Sequence, residues 1–124
     1  MLQLKKNKET IIIYGIPNCD TIKKTLGWFT KNKIEFVFHD YKKSGISKEK
    51  LNAWCKLAGW ETVLNKKSST WRNLEKQEQE IISNQTKAIA LMQHQNSIIK
   101  RPVIEIGDKI LVGFDENIFI DTFK

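Results

Sequence analysis

The spacing of apolar residues changes several times along the chain, and each change marks an element. Residues 1–9 are polar and lysine-rich and read as a frayed lead-in. Thr10-Ile11-Ile12-Ile13-Tyr14 is an unbroken β-branched and aromatic run, the pattern of a buried and parallel strand. Gly15-Ile16-Pro17-Asn18 breaks it. Over 20–32, Ile22, Leu26 and Phe29 recur at i, i+4 and i+7, which predicts a helix with Lys23, Lys24 and Lys31 on its other faces. A second strand is predicted over 34–39. Strand, helix and strand in so short a stretch make a βαβ unit with a right-handed crossover.

Residues 42–45 read as a turn. Ser47 can cap a helix over 47–58, in which Leu51, Trp54, Cys55 and Ala58 share a face and Gly59 suits the terminating position. Trp60 to Leu64 then leads into a polar loop, Asn65-Lys66-Lys67-Ser68-Ser69-Thr70. Further helices are predicted near 75–83 and 87–94, with Gln77, Gln79, Gln85, Gln93 and Gln95 as exposed helix surface. Ile98-Ile99-Lys100-Arg101-Pro102 leads into a strand at Val103-Ile104-Glu105-Ile106. Gly107-Asp108 is a two-residue hairpin signal, and 109–113 is the returning strand. Asp115 can cap a last helix through Phe119 and Phe123. The order is β-α-β, a helical block, then β-β-α. Without the block it is the order of a thioredoxin fold. The expectation is one α/β, thioredoxin-like domain over 1–124, with core at about 10–41 and 98–124 and a helical insertion at about 46–96.

The 124 residues suit one domain, and four Trp and six Phe exclude a disordered chain. No apolar run is long enough to span a bilayer, and the lysine-rich start is not a secretory signal. Two cysteines cannot staple a secreted mini-protein, so a reducing cytoplasm is expected, where an important cysteine is reactive rather than structural. The formal charge of +7 favours anionic partners: nucleic acid, an acidic protein surface, an oxyanion or a carboxylate-bearing small molecule. Charge alone does not choose among them.

Candidate chemistry does choose. Cys19 follows a strand and opens a helix, where unpaired amides and the positive end of the helix dipole favour a thiolate. The thiolate is the nucleophile, so this placement needs no histidine base. Lys23 and Lys24 add positive potential and Asp20 opposes it. Cys19-Asp20-Thr21-Ile22 lacks the second cysteine of a C-x-x-C motif. A lone thiolate forms an adduct or a mixed disulfide that an outside thiol, commonly glutathione, must resolve. Thr21 can donate a hydrogen bond to the thiolate or to a bound anion. Cys55, on an apolar helix face, is expected to pack as a small hydrophobe.

Pro102 directly precedes a predicted strand, where a cis bond would turn the chain into the sheet. In thioredoxin-like folds such a proline lies beside the active cysteine, and the residue before it offers its backbone to a thiol substrate. Here that residue is Arg101, whose fork suits a carboxylate or tetrahedral oxyanion. Lys66, Lys67 and Arg72 flank a Ser/Thr-rich loop and are candidate cations for the same cleft. His39 and His94 have no metal-ligand spacing, and no P-loop, paired-carboxylate or zinc pattern is present. Trp28, Trp54, Trp60 and Trp71 are expected to pack the core or its helical cover.

The sequence resembles the arsenate reductase-like (ArsC/Spx/YffB) family, most closely its YffB-type branch. The resemblance lies in Tyr14-Gly15-Ile16-Pro17-Asn18-Cys19-Asp20-Thr21-Ile22-Lys23-Lys24 and Phe38-His39-Asp40-Tyr41-Lys42-Lys43. It continues in Gly59-Trp60, Leu64-Asn65-Lys66-Lys67, Thr70-Trp71-Arg72, Lys100-Arg101-Pro102-Val103 and Val112-Gly113-Phe114-Asp115. It implies a thioredoxin-like core with an inserted helical subdomain, a nucleophilic Cys19, and an anion-binding Arg101 beside a cis Pro102. Val103, Asn18, Asp20, Thr21 and Lys23 complete the implied substrate- or glutathione-binding set, with Lys66, Lys67 and Arg72. Arsenate reductases of this family attack arsenate with the cysteine, then draw on glutathione and glutaredoxin. This chain departs from them, with lysines at 66 and 67 and Phe114 where cationic arginine is expected. Fewer bidentate donors weaken oxyanion capture. The YffB-type branch implies a glutathione-dependent thiol reductase instead. The Spx branch implies a regulator that binds RNA polymerase and senses oxidants through a C-x-x-C, which Ile22 interrupts here.

The expectation is therefore a monomeric thiol reductase with glutathione as cosubstrate and no metal or tightly bound cofactor. Arsenate reduction, with glutaredoxin as partner, and an Spx-like adaptor role are the alternatives. Neither nucleic acid nor membrane is the expected partner.

Overall fold

A computed structural model describes residues 9–124, so the expected lead-in lies, Glu9 aside, outside the described residues. The chain divides into two compact units, one of residues up to His39 with Arg101–Lys124, the other of Asp40–Lys100. The first holds a mixed four-stranded sheet in the order β2-β1-β3-β4. Its strands are β1 (Ile11–Gly15), β2 (Val37–Asp40), β3 (Val103–Ile106) and β4 (Lys109–Val112). Helix α1 (Asp20–Lys31) connects β1 to β2, and α8 (Glu116–Phe123) follows β4. This is the thioredoxin-like α/β order read from the sequence. The unbroken Ile11-Ile12-Ile13 run is explained by the strand order, because β1 lies inside the sheet.

Registers are fixed by both antiparallel pairings. Ile11, Ile12, Ile13 and Tyr14 face Ile106, Glu105, Ile104 and Val103, while Val103 and Ile106 face Val112 and Lys109. Side chains alternate across a strand, so Ile11, Ile13, Ile104 and Ile106 share one face. They pack with Trp28 and Phe29 of α1 and Phe119 of α8. Phe29 is fully buried at the centre, with ring centroids of Phe36, Phe119 and Phe123 at 5.8, 5.6 and 4.9 Å. Gly107 turns the β3–β4 hairpin at φ 59°, the left-handed backbone that the first position of a II′ turn requires. Asp115 caps α8, accepting the amides of Asn117 and Ile118 at 3.1 and 3.3 Å.

The second predicted strand is shorter than expected and starts at Val37 rather than Ile34. The preceding residues terminate α1 instead. Lys33 is left-handed at φ 57°, and the Ile34 amide reaches back to the Phe29 carbonyl at 3.0 Å, a helix-ending motif usually built on glycine. Ile34 and Phe36 still pack against the core, so their apolar character is accounted for without strand pairing.

The second unit is helical. After α2 (Tyr41–Ser44) come α3 (Lys48–Ala58), α4 (Trp60–Val63), α5 (Ser69–Arg72), α6 (Lys76–Ile81) and α7 (Gln85–His94), then a 3₁₀ turn at Asn96–Ile98. Ser47 caps α3 through the Lys50 amide at 3.0 Å, and Asn84 caps α7 through that of Lys87 at 3.0 Å. Leu51, Trp54, Cys55, Val63, Trp71, Ile89, Met92 and Ile98 are buried in this unit. Three expectations are corrected. The turn at 42–45 is a one-turn helix starting at Tyr41, capped by Asp40 at 2.8 Å. The lead-in at Trp60 is also helical. The polar loop ends in a third helical turn, which begins where the Ser68 hydroxyl accepts the Trp71 amide at 3.1 Å. In each, a capping side chain or glycine starts a turn too short to show a 3.6-residue period.

Two substitutions test this packing by urea unfolding. Phe29→Ala should cost about 3–5 kcal/mol, the transfer and cavity cost of a buried aromatic. Lys33→Gly should gain about 1 kcal/mol by relieving a left-handed lysine. No gain would mean that the aliphatic stem of Lys33 contributes as much as its backbone costs.

Candidate functional site

Cys19 is the N-cap of α1, with extended backbone at φ −150° and ψ 127°. Its carbonyl accepts the Lys23 amide at 2.9 Å, which starts the helical ladder. The amides of Asp20, Thr21 and Ile22 precede that first bond and have no partner within the helix. No side chain caps the helix, so these donors and the positive end of a 12-residue helix sit at the cysteine. Cys19 is half-buried, while Asn18, Asp20 and Lys23 are exposed and Thr21 is half-buried. Thr25 is fully buried and donates its hydroxyl to the Thr21 carbonyl at 2.7 Å, which fixes the first turn. Gly15 lets the strand end approach that turn, because a Cβ there would run into the buried side chain of Ile22.

The sheet register brings the second predicted segment to the same place. Tyr14 faces Val103 in an antiparallel pair. Past Tyr14 the chain enters the Cys19 turn, and before Val103 it passes through Arg101 and Pro102. Both segments therefore leave the sheet at one end. The Arg101–Pro102 bond is cis, as expected, and the Pro102 carbonyl accepts the Gly113 amide at 2.8 Å. Pro102 and Val103 are buried and Arg101 is half-buried. The same end carries a contact that the sequence pattern does not reveal: Lys24 Nζ lies 4.7 Å from the ring centroid of Phe114.

Lys66, Lys67 and Arg72 belong to the helical unit, where all three are exposed. Lys66 is not a loose surface cation. Its ammonium lies 5.5 Å from the ring centroids of both Trp60 and Trp71. The loop around it is anchored by Asn65, whose amide donates to the Ile98 carbonyl at 2.8 Å and whose side chain accepts the Lys67 amide at 3.0 Å. The Thr70 and Ser97 hydroxyls meet at 2.9 Å. A lysine between two tryptophans at 60 and 71 leaves no periodic signature, so sequence reading misses it.

On the sheet face away from α1, Tyr14 donates its hydroxyl to Glu105 at 2.8 Å and packs its ring 4.8 Å from that of His39. Burial first, then the hydrogen bond and charge of Glu105, hold the Tyr14 phenol well above its ordinary 10.0. His39 is thus a packing residue, and His94 is exposed at the end of α7. Cys55 is buried, and burial pushes its thiol above the ordinary 9.0. Among the described residues, no group of three or more His, Cys, Asp or Glu could hold a metal ion, and no helix is long and apolar enough to cross a membrane. An open groove of about 1100 Å³ lies between the start of β1 and the end of α1, lined by Ile11, Ile34, Phe36, Val37 and Phe123. It is at the opposite end of the sheet from Cys19, and among the described residues its lining contains no cysteine or arginine.

Comparison with known proteins shows the family and the fold. The model of the ArsC family matches residues 14–120. A solved YffB protein is 42% identical, with a TM-score of 0.88 over 92% of this chain and 99% of that one. A solved arsenate reductase (ArsC) related protein from Brucella melitensis is 39% identical, with a TM-score of 0.75 over 93% of this chain and 95% of that one. The global transcriptional regulator Spx of Lactiplantibacillus plantarum is 23% identical over 109 residues, 86% of this chain and 81% of the regulator.

The two thiols should separate cleanly under alkylation. In native protein at neutral pH, iodoacetamide should modify Cys19 alone, and Cys55 should react only after unfolding; native modification of Cys55 would contradict its burial. The raised thiol of Cys55 also sets a direction with pH. A group held above its unfolded value contributes fully below 9.0 and loses that contribution as pH rises through its folded value. The urea midpoint should therefore fall above the ordinary thiol range, and Cys55→Ala should flatten the first part of that fall.

Proposed function

The chain belongs to the ArsC family, and from that membership we propose that it is a glutathione-dependent thiol reductase with Cys19 as its single nucleophile. The observation that carries the proposal is a half-exposed cysteine at an uncapped helix N-terminus, at the sheet end where Arg101 also leaves β3. The amides there stabilise negative charge on sulfur. Arg101 supplies a fork that matches a carboxylate, of which glutathione carries two.

The chemistry needs two exchanges. The Cys19 thiolate attacks the glutathione sulfur of a mixed disulfide. A Cys19–glutathione disulfide forms, the substrate's S–S bond breaks, and the substrate thiolate leaves and takes a proton from water. A second glutathione thiolate then attacks the glutathione sulfur on Cys19. That step releases the Cys19 thiolate and oxidised glutathione. One substrate disulfide is reduced by two electrons and the protein ends unchanged. Asn18, Asp20, Thr21 and Lys23 flank Cys19 in the chain, and Pro102 and Val103 enter β3 at the same sheet end, so they are assigned as the other substrate-binding candidates. Lys66, Lys67 and Arg72 are assigned as anion-binding candidates on the helical unit.

Arsenate reduction with glutaredoxin is the second reading, suggested by the relative described as arsenate reductase related. It is less well supported, because Phe114 and the two lysines leave few bidentate donors for a tetrahedral oxyanion. An Spx-like role rests on a more distant relative, and Ile22 replaces the residue a disulfide switch would need.

Turnover of a glutathionylated thiol with reduced glutathione tests the proposal. Cys19→Ser should abolish it. Arg101→Ala should raise KM for that substrate about tenfold or more, the loss of a charge-assisted hydrogen bond, with the circular dichroism spectrum unchanged. Wild-type turnover in Cys19→Ser would exclude the mechanism. Binding of RNA polymerase that survives Cys19→Ser, in a chain without turnover, would favour the adaptor role.

A further inference from the structure

Helix α1 has an outer face whose composition the fold does not explain. At about 100° per residue, Asp20, Lys23, Lys24, Gly27, Thr30 and Lys31 fall within an arc of about 120°. The same six are the exposed residues of the helix, while Ile22, Thr25, Trp28 and Phe29 are buried. The arc therefore carries three positive charges against one negative. Among the described residues none of the three lysines forms an ion pair, and Lys24 is held over the Phe114 ring, its Nζ 4.7 Å from the centroid. Surface lysines alone make a solvated face. Gly27 sets this one apart. It stands at the centre of the arc, inside a helix, where glycine is the least favourable residue after proline. Its backbone is not left-handed, so the conformation does not require glycine. A Cβ at this position would meet nothing within 4 Å outside its own turn of helix, so packing does not require it either. A small residue that the fold does not need leaves a dent in a charged face, open to contact from outside.

We propose that the outer face of α1 docks an acidic helix of another protein, with Gly27 at the point of closest approach. Two packed helices stand about 8–10 Å apart, and the axes come closer where the residue at the contact is small. Lys24 and Lys23 lie three and four residues before Gly27, and Lys31 lies four after it. At about 1.5 Å per residue, the positive charges stand about 6 Å to either side of the contact point. The helix that matches this face carries a small residue at its own contact point and acidic residues about one turn to either side. A nucleic-acid backbone fits less well. Its phosphates form an unbroken negative rail, which Asp20 on the same face repels and which gains nothing from a dent. The docking depends on charge and on the space over Gly27, and not on the reading of Cys19 as a reactive thiol.

Titration of the isotope-labelled full chain with a capped helical peptide, followed by nuclear magnetic resonance, tests the docking. The peptide is built of alanine, with glutamates about one turn to either side of a central glycine. A peptide of the same composition, with its glutamates gathered at one end, is the control. At low salt the first peptide should shift the amide signals of α1 and bind more tightly than the control, and added salt should weaken it. Lys31→Glu should weaken binding about tenfold or more, the effect of reversing one charge near a protein surface. Gly27→Ala should raise the melting temperature by a few degrees, because alanine is the better helix former, and yet weaken the peptide severalfold, because its methyl group fills the dent. A glycine with only a structural role would not separate stability from binding in this way. Absence of binding at low salt would overturn the proposal, as would shifts centred on Lys66 and Arg72 or an unchanged affinity in Gly27→Ala. A DNA duplex that binds α1 more tightly than the peptide would also overturn it, and would make this face a nucleic-acid surface.

Discussion

The pairing of β1 with β3 is the constraint on which the site depends. It joins residues far apart in sequence: Tyr14 bonds Glu105 across 91 positions, and its backbone partner is Val103. That one register puts the Cys19 turn and the Arg101–Pro102 segment at the same sheet end. A slip of one residue would reverse every side chain on β1 and send Ile11 and Ile13 out of the core, so the hydrophobic effect holds the register. The intervening helical block does not leave the two strands as ends of a slack loop. Within it, the Asn96 side chain donates to the Tyr41 carbonyl at 3.1 Å, and the Lys100 amide donates to the Val63 carbonyl at 2.8 Å. The block thus ties its own end to its own beginning, which lowers the entropy that closing so long a connection would otherwise cost.

The two cysteines stand in different environments. Cys19 has unpaired helix amides and solvent beside it. Cys55, on the inner face of α3, has apolar neighbours and a thiol pushed upward by burial. Burial suppresses negative charge on the Cys55 sulfur, while the half-buried Cys19 stays open to solvent. The positive charge divides in a similar way. Lys24 is fixed on Phe114 and Lys66 on two tryptophans, whereas Lys42 and Lys43 are solvent-exposed cations on a short helical turn. Net charge therefore says less about partners than the few cations whose positions are set by aromatic rings.

What could be read in the sequence was local and periodic. The isoleucine run, the Ile22-Leu26-Phe29 spacing, the Gly107-Asp108 hairpin and the Ser47 and Asp115 caps are each settled by neighbours within about a turn or two of chain. The position of Cys19 at the start of a helix was legible because a polar turn there joins an apolar run to a 3.6-residue period. The chain failed to announce features of two kinds. One-turn helices at Tyr41, Trp60 and Ser69 are too short for a period to show. Cation–ring contacts depend on which distant side chain arrives, and neither Lys24 with Phe114 nor Lys66 with Trp60 and Trp71 follows from spacing. The strand at Ile34 was misread for a third reason: its apolar residues serve a helix terminus and the core, and not a ladder.

The central claim is that Cys19, and not Cys55, is the thiol through which this protein acts. Intact-mass and peptide mapping of the native chain after exposure to oxidised glutathione tests it most directly. The account predicts a single glutathione adduct, located on Cys19, that reduced glutathione removes. A native chain that takes no adduct, or takes it on Cys55, would contradict it.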